Sequence, residues 1–358
     1  MRQLLKKILP PFAINKLKRV QASFHRKLTP FFSKSPFLSR IYFTFLNSSY
    51  HREQFANLRG MMAYKQRINE HKNSSNPLLR RNIHRIEKGL IMKPLKPVFA
   101  LDYIEQTQQI YFASLKSTNH QPEELQWAGA VLAKYYNVVK IEQSDLLLKL
   151  ANEFKANVEV EFENINQFTP YSHSELVKPK FTYQEFYRFI KIRRSTRWFK
   201  QAEVCREKIK QAIELASQAP SACNRQPYQF FVVDKQPLVS KISKLAIGSG
   251  GFAHNIPTIV AVVGDYSFYE HERDRHVIYI DASLAAMQFM QALPTLGLSS
   301  CPLNWPELSV QDRKISKLLS LAEYKKVIML IAVGEAETEG GIPYSQKKTA
   351  EQLTHFVE

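Results

Sequence analysis

Disulfide chemistry, membrane-spanning runs and, through the first half, strand-forming runs are what this sequence has least of. Its 358 residues include only three cysteines, Cys205, Cys223 and Cys301, with no Cys-x-x-Cys spacing. An odd, scattered set excludes a disulfide scaffold and fits a reduced, cytosolic compartment. No apolar run near the start approaches the roughly 20 residues a spanning helix needs; the longest patch there is Ile41-Tyr42-Phe43-Thr44-Phe45-Leu46. Residues 1–14 carry Lys6 and Lys7, but Pro10 and Pro11 break the apolar stretch that follows, so they do not read as a signal peptide. Acids are scarce in the first hundred residues, which hold Glu53, Glu70 and Glu87 against 21 Lys and Arg. The remainder has 29 of each sign, so the whole formal excess of +18 belongs to that first hundred. Such asymmetry describes a basic arm set against something anionic, not a basic enzyme. Phosphate-loop fingerprints are missing too: Gly248-Ser249-Gly250-Gly251 lacks the strand that precedes a Walker or dinucleotide loop.

What is present is a globular composition, 44% hydrophobic with 23 Phe and 16 Tyr, at a length that suits two domains. In residues 1–47, Phe12, Leu17, Phe24, Leu28, Phe31, Phe32, Phe37 and Leu38 interleave with Lys16, Lys18, Arg19, Arg26, Lys27 and Lys34. A helix lying on anionic lipid has this pattern. An arm packed on its own protein, basic side in water, has it equally. Nucleic acid is disfavoured, because no recognisable module accompanies the charge. Residues 48–164 read as a helical domain, with helices at 50–70, 78–90, 101–116, 123–141 and 143–162. The second of these is capped from the loop 73–77 and closed by Gly89, Pro94 and Pro97. His84 and Glu87 stand one turn apart within it, a candidate site but more simply a surface pair beside Arg85 and Lys88. A polar stretch with Pro170 and Pro179 makes 165–182 a linker. From 183 to 358 helices (238–246, 278–296, 309–319) alternate with strands (229–233, 258–264, 298–301, 326–333), which gives a mixed α and β class.

Two stretches of that last part carry chemistry. Residues 193–199 read Arg-Arg-Ser-Thr-Arg-Trp-Phe, three guanidinium groups around a short hydroxyl, a donor set suited to phosphate. Residues 219–227 read Ala-Pro-Ser-Ala-Cys-Asn-Arg-Gln-Pro, a small-residue turn whose polar side chains can meet a flat ring. Between them Ile209, Ile213, Leu215, Ala216 and Ala219 form an apolar helical face that fixes one relative to the other. The run 271–276, His-Glu-Arg-Asp-Arg-His, offers metal-ligand types, but its two arginines argue against a cation and for a polar loop. Asp265, just past a strand, is placed to orient a loop.

The two motifs in this order resemble those of the FMN-dependent nitroreductase family, with Tyr228 where that family has Trp. The resemblance spans 183–358. It implies an α+β, nitroreductase-like three-layer sandwich, a four-stranded, mostly antiparallel sheet flanked by helices, preceded here by an all-helical basic region. It implies a homodimer with FMN at the interface. Arg193, Ser195 and Arg197, with Arg194 adjacent, would hold the phosphate, helped by Lys347 or alternatively Lys348. Pro220, Ser221 and Asn224 would line the flavin, in part from the partner subunit, and Gln226 would either assist or brace the turn. Residues Cys301, Pro302, Leu303 and Asn304 would run near flavin N5, offering a backbone N–H; Cys301 itself reads as a small buried thiol, since no His partners it. No metal is implied. The expected activity is hydride transfer from NADH or NADPH through the flavin to an electron-poor acceptor, in ping-pong fashion. Nitroaromatics, quinones, flavins and enones all suit. Residues 84–90, His-Arg-Ile-Glu-Lys-Gly-Leu, resemble a segment of long, N-terminally extended members linked to envelope-polysaccharide pathways. The competing reading is a flavin-fold binding or scaffold module docked to an anionic membrane or an assembly complex by its basic arm.

Overall fold

The computed structural model describes residues 10–70, 75–117, 121–158 and 167–357, and the chain divides into two compact units. The smaller comprises residues up to Phe55 together with Glu307–Ser309, and the larger comprises the rest. The break therefore falls at Phe55, where the sequence placed the arm's end at 47. The helices that follow share one unit with the C-terminal half.

In the smaller unit, helix α1 (Pro11–Phe32) opens on a proline, whose missing N–H costs nothing in a first turn. Helix α2 (Pro36–Ile41) is capped by Ser35, whose Oγ accepts from Leu38 N at 3.2 Å, and leads into a π turn. Tyr42 is buried there, its hydroxyl 2.9 Å from His25 Nδ1 and its ring 5.4 Å from that of Phe32. Phe12, Val20, Phe24, Phe31, Phe37 and Phe45 stay exposed. Residues 1–9 and the side chains of Leu17 and Lys18 lie outside the described residues.

Helix α3 (His51–Glu70) runs into the larger unit. Its Gly60 lies so close to the backbone of Tyr266 that an added Cβ would stand 2.9 Å from the Tyr266 carbonyl carbon. Helices α4 (Pro77–Leu90), α5 (Ile104–Leu115), α6 (Pro122–Val138) and α7 (Asp145–Asn157) build one core. In α4 the i, i+4, i+7 set Leu79, Ile83 and Ile86 is fully buried. Asn76 starts that helix, its Oδ1 accepting from Leu78 N and Leu79 N at 3.0 and 3.1 Å. Gly89 does not stop it. The residue lies within α4 against the Phe99 ring, where a Cβ would meet ring carbon at 2.1 Å, so close packing explains the glycine. Helix α7 ends at Asn157, and the expected continuation to 162 falls outside the described residues from 159 on.

Helix α8 (Tyr183–Ile192) begins at a reciprocal Thr182–Glu185 capping box and precedes the sheet. Strands β1 (Tyr228–Val233), β2 (Thr258–Asp265), β3 (Ser299–Leu303) and β4 (Lys325–Gly334) form one sheet in the order β1-β2-β4-β3, antiparallel throughout. All of β2 is buried, because both faces of the sheet are covered. Val260, Val262 and Ile331 pack under helices α9 (Arg206–Ala216) and α11 (Val277–Ala292). Ile259, Ala261, Val263 and Leu330 pack under α10 (Leu238–Ser243) and α12 (Ser309–Leu318). Alternate residues of one strand thus feed two cores, and the result is the expected three-layer α+β sandwich. A short helix α13 (Ala350–Leu353) closes the chain. The expected helix 278–296 ends its α part at Ala292; a 3-10 turn follows and stops at Gly297 with φ +73.

Candidate active site

One cluster lies at the β3 edge. Ser195 forms a parallel bridge with Ser300, and Thr196 N donates to Ser300 O at 3.0 Å, so the arginine motif runs as an extra partial strand. Its far end is fixed by Phe199, fully buried, whose N donates to Asn255 Oδ1 at 2.6 Å while Asn255 Nδ2 returns a bond to Phe199 O at 3.1 Å. This leaves Arg193, Arg194, Ser195 and Arg197 half-exposed. Arg197 donates to Ser195 O at 3.3 Å. Arg194 donates to Tyr344 O at 2.5 Å, which ties the C-terminal segment to the motif; Lys347 and Lys348 follow three and four residues on, both exposed. Cys301 is buried beside this group. Burial pushes its thiol up, opposed by the nearby Arg197 guanidinium, the Ser195 hydroxyl and Arg193. A group held neutral in this way is no nucleophile. The strand continues through Leu303, also buried, whereas Pro302 and Asn304 are exposed. The buried Ser300 hydroxyl has no hydrogen-bond partner among the described residues.

The second cluster is the turn before β1. Cys223, Asn224 and Gln226 adopt left-handed φ of 54, 50 and 50, which for side-chain-bearing residues requires support from outside. Gln226 N donates to Ser221 Oγ at 3.1 Å and its Nε2 to Ser217 O at 2.6 Å. The Gln226 amide therefore braces the turn. Pro220 is exposed, and Ser221 and Asn224 are half-buried. From α11, Asp281 Oδ2 accepts from Ala222 N at 2.9 Å and from the Tyr269 hydroxyl at 3.4 Å. Asp281 is 3% exposed, and burial raises its carboxyl above the usual range against the pull of those two donors and Arg225. From α4, Arg80 reaches Asn224 O, Gln226 Oε1 and Glu124.

The two clusters belong to opposite edges of the sheet, β3 and β1. Strands β1 and β3 stand three inter-strand steps apart, about 14 Å at the usual strand spacing, and the arginine motif lies beyond β3. His84 and Glu87 pair at 3.3 Å, and Glu87 also accepts from Trp127 Nε1 at 2.9 Å, a structural link between α4 and α6. The run 271–276 is largely exposed around a 3-10 turn. Among the described residues no group of three His, Cys, Asp or Glu side chains is arranged to hold a metal. Asp265 does orient its loop, accepting from Ser267 N and Oγ at 2.8 and 2.6 Å, with Arg67 and Lys325 as ion partners. Sequence reasoning missed Asp281, Arg80 and Glu124. A lone Asp inside the apolar stretch 278–296 was a usable signal; Arg80 and Glu124 offered none.

Comparison with known proteins bears on the half of the chain that holds both clusters. The nitroreductase family model matches residues 190–250 and 248–335. An Archaeoglobus fulgidus protein named as an NADH dehydrogenase/NAD(P)H nitroreductase is 27% identical over 156 residues, 44% of this chain and 88% of that one. Human iodotyrosine deiodinase 1 is 26% identical over 228 residues, 53% of this chain and 75% of its own. The solved structure of an FMN-dependent nitroreductase from Clostridium difficile R20291 is similar at 27% identity and a TM-score of 0.41, covering 48% of this chain and 98% of that one. Over residues 190–335 the chain is thus similar to the nitroreductase family.

Proposed function

We propose that this protein is an FMN-dependent oxidoreductase that moves hydride from NADH or NADPH to an electron-poor organic acceptor. The observation that carries this reading is the β3-edge cluster. Arg193 and Arg197 have no carboxylate partner among the described residues, and the buried, orphaned Ser300 hydroxyl belongs to the residue that bridges directly to Ser195. Such a donor set fits a phosphate monoester, and the small-residue turn with half-buried Ser221 and Asn224 fits a planar ring. When bound, FMN supplies a hydride acceptor and donor at its N5. Arg193, Ser195 and Arg197 would hold the phosphate, with Lys347 or Lys348 adding a point charge from the tethered tail. Ser221 and Asn224 would orient the ring. The backbone along Cys301–Asn304 would present N–H groups to it, with no thiol chemistry from the neutral Cys301.

The site would be shared between two subunits, because the phosphate and ring clusters occupy opposite sheet edges. Ile280, Leu284 and Met287, spaced i, i+4, i+7 on α11, remain exposed and apolar, a stripe suited to a second copy. The acceptor would be a nitroaromatic, quinone or enone, or a substrate of an envelope-polysaccharide pathway. The visible absorption spectrum of purified protein before and after anaerobic NADH or NADPH tests the reading. Yellow protein that bleaches supports it, and protein that stays colourless after incubation with FMN refutes it.

The same proposal extends to location. No described helix is long and apolar enough to cross a membrane. Helix α1 nevertheless exposes Val20, Phe24 and Phe31 on one stripe, flanked by exposed Lys16, Arg19, Arg26 and Lys27, with no acid before Glu53. That arrangement suits an anionic bilayer surface. Replacing Lys16, Arg19, Arg26 and Lys27 by Glu in the full chain should abolish sedimentation with phosphatidylserine vesicles. Unchanged sedimentation would refute it.

A further inference from the structure

We propose that Arg80 is a positioning residue for the ring-binding turn, so that the helical layer holds residues 222–226 in the shape that receives the cofactor. This role presupposes that the turn meets the ring, as proposed above. Cys223, Asn224 and Gln226 are all left-handed, and each such residue costs on the order of 1–3 kcal/mol unless its surroundings over-determine it. Ser217, Ser221 and Asp281 supply part of that support. Backbone bonds such as Asn224 N to Ser221 O and Tyr228 N to Gln226 O add to it, and Arg80, 144 residues away in sequence, grips the turn from outside. Its Nε donates to Asn224 O at 2.7 Å and its Nη2 to Gln226 Oε1 at 3.4 Å, so one guanidinium grips two of the three left-handed residues.

The guanidinium is itself fixed on two sides. Nη1 donates to Glu124 Oε2 at 3.0 Å, and Glu124, 7% exposed, is held by Asn76 N at 3.0 Å and Ser75 Oγ at 2.7 Å. The Trp127 ring lies 5.3 Å from the guanidinium carbon, and Trp127 Nε1 is tied to Glu87 at 2.9 Å. Glu87 in the 84–90 segment thus fixes Trp127, Trp127 backs Arg80, and Arg80 shapes the turn. Planar, divergent donors are needed to reach a carbonyl, an amide oxygen and a carboxylate at once, and a lysine ammonium on its flexible stem does not reproduce them.

Full-length wild type, Arg80→Lys and Arg80→Ala are compared by FMN affinity (quenching of flavin fluorescence), by the visible circular dichroism of the bound flavin, and by urea midpoint. Both variants should bind FMN roughly tenfold to a hundredfold more weakly, the range expected for losing hydrogen bonds from a charged donor. The flavin that remains bound should show an altered dichroism, with the urea midpoint of Arg80→Lys close to wild type. Unchanged affinity and dichroism in both variants would overturn the role. So would full rescue by lysine, or losses that only track a lowered urea midpoint, since those mark a mere contribution to folding. Wild type that takes up no FMN would defeat the functional reading itself. Wild type that binds, with variants that bind equally well, would defeat only the role of Arg80.

Discussion

In wild type the Asp281 side chain combines two roles, acceptor and buried charge, which substitution can separate. As an acceptor it satisfies Ala222 N–H and the Tyr269 hydroxyl. As a buried carboxylate its charge is penalised, and its folded-state pKa lies above the unfolded value. The folded chain therefore binds the proton more readily than the unfolded one. The stability this contributes is complete below the unfolded carboxyl pKa of about 3.9 and is lost as pH rises through the folded value. Asp281→Asn keeps an oxygen acceptor and removes the charge. It should be at least as stable as wild type at pH 7, with a flatter dependence of stability on pH above about 4. Asp281→Ala removes the acceptor of the part-buried Ala222 N–H and of the buried Tyr269 hydroxyl, which costs about 1–3 kcal/mol before any cavity is counted. Urea denaturation followed by far-ultraviolet circular dichroism at several pH values between 4 and 8 measures both. If Asn costs as much as Ala, the carboxylate acts through its charge, and if Asn leaves the pH slope intact, Asp281 is not the group that titrates; either result refutes the reasoning.

The Lys326–Asp312 pair, 1% and 2% exposed and 3.4 Å apart, should be intolerant of half-removal: Lys326→Met should cost about 3–5 kcal/mol, whereas Lys326→Met with Asp312→Leu costs much less than the two singles together, and additive losses in denaturation would count against it. Cys205 is exposed, and the backbone N–H groups of Lys208 and Glu207 pull its thiol down, while burial pushes that of Cys301 up. Iodoacetamide near neutral pH should therefore label Cys205 first, seen by peptide mass spectrometry, and faster labelling of Cys301 would contradict the assignment. Arg193→Ala and Arg197→Ala should each weaken FMN binding by on the order of tenfold or more, and salt should reduce the difference; equal affinity in a fluorescence titration would remove the phosphate assignment.

Strands β1, β2 and β4 were legible because each is a run rich in β-branched or aromatic residues, whereas β3, Ser-Ser-Cys-Pro-Leu, has neither and showed only as a short apolar step after a helix. Their ends moved by at most two residues, as at Leu303, where strand pairing with Leu330 carries β3 past the expected stop. The family motifs were legible because they are local. What the sequence hid was the support around them. Arg80 looked like one more charge on a basic helix, since nothing within a turn of it names a partner in residues 224 and 226. Gly89 looked like a stop signal, because a glycine that admits a ring and one that ends a helix are the same letter. Only the position of Phe99 distinguishes them.

The opposite-edge placement of the two motifs has a genetic consequence. On the shared-site arrangement proposed above, each site draws its arginines from one chain and its turn from the other. A chain lacking Arg193 and Arg197 and a chain lacking Asn224 would each be inactive alone. Co-expressed, they would form mixed pairs in which one site collects both lesions and the other has none. With random pairing roughly a quarter of the sites would work. Two dead alleles would then restore colour and turnover to each other, whereas a site built within one chain could not be rescued in this way.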